Sequence, residues 1–246
     1  MQSNKIYNED CIGEHGMCLI PDKSIDMILC DLPYGTTKCK WDSILPFDKL
    51  WEQYKRIIKD NGAIVLTASQ PFTSALVMSN PKWFKHDWVW YKSRSGSAIT
   101  AKYRPVKRHE DILVFCKTTP KYNPQMTNGT PYHRKSSNNK NNNHGFGINS
   151  NMETNNTGTR YPITIQYFKQ NWSKQQQLHP TQKPVALFEY LIRTYTNEGE
   201  TVLDNCIGSG TTAVACINTK RNYIGFETDT TYCEIANKRI QDIDKK

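Results

Sequence analysis

ETVLDNCIGSGTTAVACINTKRNYIGFE, residues Glu200 to Glu227, is the stretch on which the fold turns. Val202 and Leu203 lead an apolar strand into Asp204, a turn containing Gly208 and Gly210 follows, and Thr211 and Thr212 open a helix. Asn222 to Phe226 then reads as a second strand that ends at Glu227. Strand, tight turn, helix and strand is the repeating unit of a parallel α/β sheet. The glycines let backbone approach a ligand, the helix start offers N–H groups, and an acid closing the next strand is placed for ribose hydroxyls. An adenosine-type ligand fits this arrangement, and an ordinary tight turn with Glu227 as a solvated charge fits it as well. The single Gly-x-Gly lacks the third glycine of the dinucleotide fingerprint, which disfavours a nicotinamide or flavin enzyme.

The same alternation extends outward. Upstream of the turn, Pro184 to Tyr195 has helical periodicity, and downstream Tyr232 to Ile243 reads as a last helix. Nearer the N-terminus, Ser24 to Asp31 is a buried-strand pattern, and Phe47, Leu50, Trp51, Tyr54, Ile57 and Ile58 recur at helical spacing. Asn61-Gly62 reads as the stop of that helix before a strand from Ala63 to Ser69. A helix from Pro71 and strands around Asp87 to Tyr91 and Asp111 to Cys116 complete this half. Between Thr118 and Gln177 the periodicity gives way to Asn, Ser, Thr, Gly and Gln, which reads as a partly mobile insertion. The expected organisation is one open, mostly parallel sheet with helices on both faces, built from residues 1–117 and 178–246 and interrupted by residues 118–177.

Composition narrows the function. With 246 residues, 37% hydrophobic and 11% aromatic, the chain has material for a real core, which excludes a wholly disordered protein despite a mean hydropathy of −0.70. Thirty-two basic against 23 acidic residues leave +9, a balance that favours a polyanionic partner over a neutral one. The 8 cysteines form no Cys-x-x-Cys pair, so neither a metal site nor a disulfide framework is expected. MQSNKIYNED has no apolar signal core and no apolar run approaches the roughly 20 residues that span a bilayer, so a reducing cytosol is the expected compartment and no membrane is involved.

A second loop, Asp31-Leu32-Pro33-Tyr34-Gly35, leaves the end of the Ser24–Asp31 strand with a carboxylate, constrained carbonyls and an aromatic ring together. In open α/β sheets ligands bind outside the carboxyl ends of the strands, where this loop lies. Two acceptors, the Asp31 carboxylate and the Leu32 carbonyl, suit an exocyclic amino group, whose lone pair is delocalised into its ring until its N–H bonds are drawn aside. Tyr34 is then placed to stack on the base. The plainer reading is a turn that ends a strand with Tyr34 on its rim.

Between Lys82 and Arg108 the chain is basic and aromatic. Lys92, Arg94, Lys102, Arg104, Lys107 and Arg108, joined by Arg134 and Lys135 in the insertion, are candidates to neutralise phosphates. Trp83, Trp88, Trp90, Tyr91 and Tyr103 are candidates to line a cleft for an extruded base.

Taken together, DLPYG, HPTQKP (His179 to Pro184) and DNCIGSGTT followed by GFE resemble the permuted β class of S-adenosylmethionine-dependent DNA amino-methyltransferases. The matches cover nearly the whole chain in that family's order of catalytic half, target-recognition insertion and cofactor half. The resemblance implies a Rossmann-like class I methyltransferase with a circularly permuted seven-stranded sheet, acting on double-stranded DNA with S-adenosyl-L-methionine as methyl donor. It implies catalytic roles for Asp31, Leu32, Pro33 and Tyr34, with Asp31 also bordering the reactive methyl. Asp204, Cys206, Gly208, Ser209, Gly210, Thr211 and Thr212 resemble the loop at the methionine end of the cofactor, Glu227 its ribose ligand, Lys183 the partner of its carboxylate, and Asp10-Cys11 the segment contacting its adenine. His109-Glu110 also matches a recurrent family segment that carries no assigned role here.

Leu32 stands where the family commonly has a first proline, and Asn205-Cys206 where it commonly has Pro-Phe, so an aromatic contact to the cofactor is in doubt. The Asp-led loop resembles the adenine-N6 members more than the cytosine-N4 ones, and the alternatives are an N4-cytosine enzyme, a silent DNA-binding scaffold, or an RNA or protein amino-methyltransferase. No Pro-Cys dipeptide is present, in keeping with transfer that needs no covalent cysteine intermediate. A homodimer and a cognate restriction endonuclease, in the cytoplasm of a bacterial or phage-infected cell, are left open.

Overall fold

A computed structural model describes residues 1–36, 42–96, 99, 101–135, 153–170 and 182–244. Cys39, the Asn-rich centre of the insertion (136–152) and His179, Pro180 and Thr181 of the HPTQKP stretch lie outside the described residues.

The main sheet is built from β1 (Lys5–Tyr7), β2 (Ile25–Cys30), β3 (Ile58–Ala68), β4 (Phe84–Lys92), β5 (His109–Phe115), β10 (Ile165–Phe168), β11 (Thr201–Asp204) and β12 (Asn222–Phe226), in the order β1-β12-β11-β2-β3-β5-β4-β10. Neighbours pair in parallel except for β5, which runs antiparallel to both β3 and β4. The sheet is thus mostly parallel, as the alternation of strands and helices implies, but it has eight strands and not seven. The additional strand, β10, lies inside the stretch expected as insertion. It has only four residues, too few for a readable period, and it is held to β4 by parallel pairing and by the Trp90 indole N–H donating to the Phe168 carbonyl at 3.0 Å.

Period-two burial places helices on both faces. Met27, Leu29, Val65 and Val114 pack toward α3 (Val185–Tyr195), α4 (Thr211–Asn218) and α5 (Thr230–Asp244). Ile28, Cys30, Ile64 and Leu66 pack on the opposite side toward α1 (Phe47–Ile57) and α2 (Phe72–Ser79). Helix α1 ends at Ile57, and Ile58 starts β3 at once by pairing with Ile25, so Asn61-Gly62 lies inside the strand and does not stop the helix. A Cβ at Gly62 would stand 2.8 Å from the Asp26 carbonyl oxygen, next to the register shift between Ile25 and Met27, which explains glycine at that position.

Strand β2 is followed in sequence by β3 on one side, and its other neighbour β11 is followed by β12 on the opposite side. The connections diverge between β2 and β11, and the crevice outside their carboxyl ends is where a sheet of this kind binds ligands.

The chain falls into two compact units, Met1–Asn123 with Thr164–Lys246 and, separately, Pro124–Ile163. In the second unit β6 (Thr127–Asn128) pairs with β9 (Thr159–Arg160), and β7 (Tyr132–Arg134) with β8 (Thr154–Asn156). The Arg160 guanidinium lies 4.8 Å from the Tyr132 ring centroid. Among the described residues no helix is long and apolar enough to cross a membrane.

Tyr195 at the end of α3 is fully buried and locks that helix to β4, its hydroxyl accepting from the Trp88 indole N–H at 2.7 Å and lying 2.8 Å from His86 Nε2. Tyr195→Phe leaves the Trp88 donor buried without a partner, and urea unfolding is expected to show a loss of about 1–3 kcal/mol. An unchanged midpoint and slope would show that this link does not hold the helix.

Candidate active site

Every residue of β2 is buried, and Asp31 is the first to emerge from it. The neighbouring strand sets Thr67 level with it, because Cys30 pairs with Leu66. Thr67 donates its hydroxyl to Asp31 Oδ1, and the Tyr34 hydroxyl donates to the same oxygen at 2.8 Å. Burial, reinforced by Asp31 and Glu110, pushes the Tyr34 phenol well above its ordinary range, so it remains a donor. The Tyr34 ring stacks on Phe72 with centroids 5.2 Å apart. Behind the loop, the Asp42 carboxylate accepts from the Gly35 and Thr36 amides, each at 2.9 Å, and so holds the chain where it turns away.

The other Asp31 oxygen, Oδ2, accepts from Lys183 Nζ at 2.5 Å. Lys183 stands just before α3, its side chain only 6% exposed, and its Nζ is also 3.4 Å from Glu110 Oε2. Glu110 Oε1 is ion-paired with Lys92, whose Nζ lies 5.0 Å from the Trp90 ring centroid. Four charges therefore alternate in a row, Asp31, Lys183, Glu110 and Lys92, contributed by the end of β2, the start of α3, β5 and β4. Burial alone would push the Glu110 carboxyl up, but Lys183 and Lys92 outweigh it and hold it below its ordinary range. Burial alone would likewise lower Lys183, but Asp31 and Glu110 outweigh it and hold the ammonium above its ordinary range.

On the next strand, Asp204 turns inward. Its carboxylate accepts from the Cys206 amide at 3.0 Å and from the Thr212 hydroxyl, closing the glycine turn on itself. Burial pushes this carboxyl up to about 6. Gly210 caps α4 at φ +81°, and a Cβ there would stand 2.9 Å from Ala236 Cβ of α5, so glycine is required both for the backbone and for the close approach of that helix. Arg239 of α5 donates to the Ser209 carbonyl at 3.1 Å. Glu227 accepts from the Gly208 amide and the Asp229 amide, each at 2.9 Å, and burial raises its carboxyl above the ordinary range. Asn205, also buried, accepts from the Tyr54 hydroxyl at 2.5 Å and donates toward the sulfurs of Cys11 (3.6 Å) and Cys206 (3.5 Å). The Ser209 hydroxyl donates to Gln182 Oε1 at 3.5 Å, one residue before Lys183. The glycine turn and the charged row thus open on one edge of the sheet.

Of the residues singled out from sequence, Asp31, Tyr34 and Lys183 meet directly, and Cys206, Gly208, Ser209, Gly210, Thr211, Thr212 and Glu227 gather around the turn. Leu32 buries its side chain in the core, and Pro33 is half-buried beside it. Asp10 is exposed and accepts from the Ile12 amide at 3.0 Å, while Cys11 is buried. Lys92 does not belong to an exposed basic face, because it is paired with Glu110 inside the site. Trp88 and Trp90 do not line a cleft either: they are buried in the core, since alternate residues of β4 face α3. Lys107 donates to Ser69 Oγ at 2.7 Å, Arg108 lies 4.8 Å from the Tyr91 ring centroid, and Lys102, Arg104, Arg134, Lys135 and Arg94 are exposed. Thr67, Asp42 and Arg239 were not among the sequence candidates. A polar Thr closing the apolar run Ala63 to Ala68 was the one signal that pointed to any of them.

A sequence model described as DNA methylase matches residues 25–238. The Type II methyltransferase M.HpaI of Haemophilus parainfluenzae is 29% identical over 236 residues, covering 90% of this chain and 69% of that protein. The crystal structure of the M1.HpyAVI–SAM complex superposes with a TM-score of 0.62 at 25% identity, over 96% of this chain and 98% of that one. The cytosine-N4-specific PvuII DNA methyltransferase shares the fold, with a TM-score of 0.69 at 16% identity over 100% of this chain and 92% of the other.

The turn yields a pH prediction. Asp204 binds a proton more readily folded than unfolded, so its contribution to stability falls as pH rises from about 4 through about 6. In urea unfolding, Asp204→Asn is expected to gain on the natural protein by about 2 kcal/mol between pH 4 and pH 7. A difference independent of pH would contradict the burial of an ionisable group in the turn.

Proposed function

The chain belongs to the DNA methylase family, and on that premise we propose that it moves a methyl group from S-adenosylmethionine to the exocyclic N6 of an adenine extruded from duplex DNA, with Asp31 accepting a hydrogen bond from the amino group. The observation that carries this reading is the Asp31 carboxylate itself, the first side chain outside a central strand, oriented by Tyr34 and Thr67 and facing a buried cation.

The residues of the crevice fit the methyl donor. The glycine turn brings backbone to the start of α4, Glu227 and Asp10 are acceptors for ribose and adenine groups, and Lys183 is a cation for a carboxylate. When bound, S-adenosylmethionine supplies an electrophilic methyl on a positively charged sulfur. The chain's own task is to make an amide-like nitrogen attack it. Asp31 and the Leu32 carbonyl, fixed because the Leu32 side chain is locked in the core, each accept one amino N–H. The nitrogen lone pair is thereby turned out of the ring, and the charge that develops on nitrogen meets a carboxylate already in place. No cysteine is needed as nucleophile. Cys30, next to Asp31, is buried and its thiol is pushed up to about 12, which keeps it protonated and inert.

The Asp-led loop supports adenine over cytosine as the target. Exposed Arg94, Lys102, Arg104, Arg108, Arg134 and Lys135, in a chain of net charge +9, support contacts to phosphates. The Type II naming of its relatives supports a role opposite a restriction endonuclease in a bacterial cytoplasm.

Asp31→Ala is expected to lower single-turnover methyl transfer by at least about 100-fold, while S-adenosylmethionine affinity by calorimetry stays within about fivefold of the natural protein. Equal loss of both would show that Asp31 holds the fold or the donor and not the target amino group.

A further inference from the structure

A carboxylate is nearly two-fold about its Cβ–Cγ bond and the torsion that turns it is broad, so a carboxylate at the end of a strand does not aim itself. Asp31 is aimed from one side. Its Oδ1 accepts from the Thr67 hydroxyl and, at 2.8 Å, from the Tyr34 hydroxyl, which together fill that oxygen's two lone pairs. Its Oδ2 accepts from Lys183 Nζ at 2.5 Å and keeps a second lone pair, the one open to an amino N–H.

The two hydroxyls on Oδ1 are not equivalent. Tyr34 stands on the loop after β2, its ring is the surface a base meets, and its hydroxyl also lies 3.0 Å from Thr67 Oγ1, a second acceptor to which it can turn. Thr67 has no such freedom. It is fully buried, its backbone is paired with Ile112 of β5, and its branched Cβ restricts the side-chain torsion. Of the two, only Thr67 ties the carboxylate to the sheet. It is also the one hydroxyl in the apolar run from Ala63 to Ala68, where a valine of the same shape would suit the core. A hydroxyl taken out of water costs stability unless it is bonded, and both partners of this one, Asp31 and Tyr34, belong to the catalytic loop.

We propose that Thr67 is the positioning residue of this reaction: its hydroxyl, held by β3, fixes Oδ1 of Asp31 so that Oδ2 faces the target amino group, and it does so independently of the Tyr34 ring that the base touches. The role is geometric, since no proton leaves Thr67 and no covalent bond changes. It rests on the assignment of Asp31 as the acceptor for the amino group.

The test is Thr67→Val, which keeps the branched shape and removes the hydroxyl. With DNA and S-adenosylmethionine saturating, kcat is expected to fall about tenfold or more, as for the loss of one hydrogen bond to a charged group, while KM for DNA stays within about twofold. Thr67→Ser returns the hydroxyl without the methyl and recovers most of the loss. Tyr34→Phe, which keeps the ring, loses less than Thr67→Val because Thr67 still anchors the carboxylate. If Thr67→Val does not fold, Thr67→Ser and Thr67→Ala differ by one oxygen atom and decide the matter between them, with the serine variant expected to turn over about tenfold faster. Natural kcat in Thr67→Val, equal rates in the serine and alanine variants, a loss confined to KM, or a larger loss in Tyr34→Phe than in Thr67→Val overturns the proposal. If Asp31→Ala is inactive at the same time, only the positioning role falls, whereas undiminished transfer by Asp31→Ala overturns the reading beneath it.

Discussion

The Lys183 ammonium, buried between the carboxylates of Asp31 and Glu110, is the interaction on which the rest of the site depends. Asp31 and Lys183 are 152 residues apart, so their contact exists only if β2, β5 and the start of α3 take their places correctly. A buried cation is tolerable when its surroundings carry matching charge, and here two carboxylates face it while a second lysine balances the row. The arrangement keeps charged groups out of water and next to a strand end, where a low-dielectric environment makes each of them count for more.

The sheet supplies the frame. Because β2 and β11 are neighbours whose connections lead in opposite directions, the loop that starts with Asp31 and the turn that starts with Asp204 open into the same crevice. The two loops are stiffened in different ways. The first is held by hydroxyls and by Asp42 from outside, and the second is held by its own buried carboxylate, by Glu227 and by the close approach of α5 at Gly210. In both, a side chain at a strand end satisfies backbone or hydroxyl donors that a bare loop would leave to water.

What could be read from the sequence was what is local. DLPYG and DNCIGSGTT each place their chemistry within a few residues of a strand end, so the period of the strand and the glycines announce them without knowledge of the partners. What could not be read depends on pairing between distant segments. Lys92 looks like one of a run of surface cations until β4 aligns Trp90 with Glu110, and only the sheet shows that its charge points inward. Trp88 and Trp90 are spaced two apart, which suits a core strand as well as an aromatic cleft, and it is α3 that covers them. Asn61-Gly62 carries the ordinary signal of a helix stop, yet the pairing of Ile58 with Ile25 claims the chain earlier. Glu110 was visible as part of a motif, but its place between Lys183 and Lys92 is a fact of three dimensions.

The atom that receives the methyl group defines the reaction. Unmethylated genomic DNA incubated with the protein and labelled S-adenosylmethionine, then digested to nucleosides and resolved by chromatography and mass, reads that atom directly. Label in N6-methyladenine is the predicted result. Label in N4-methylcytosine would keep the amino-group chemistry of Asp31 and overturn the choice of base, and label on a ring carbon, or none in DNA despite bound donor, would contradict the account.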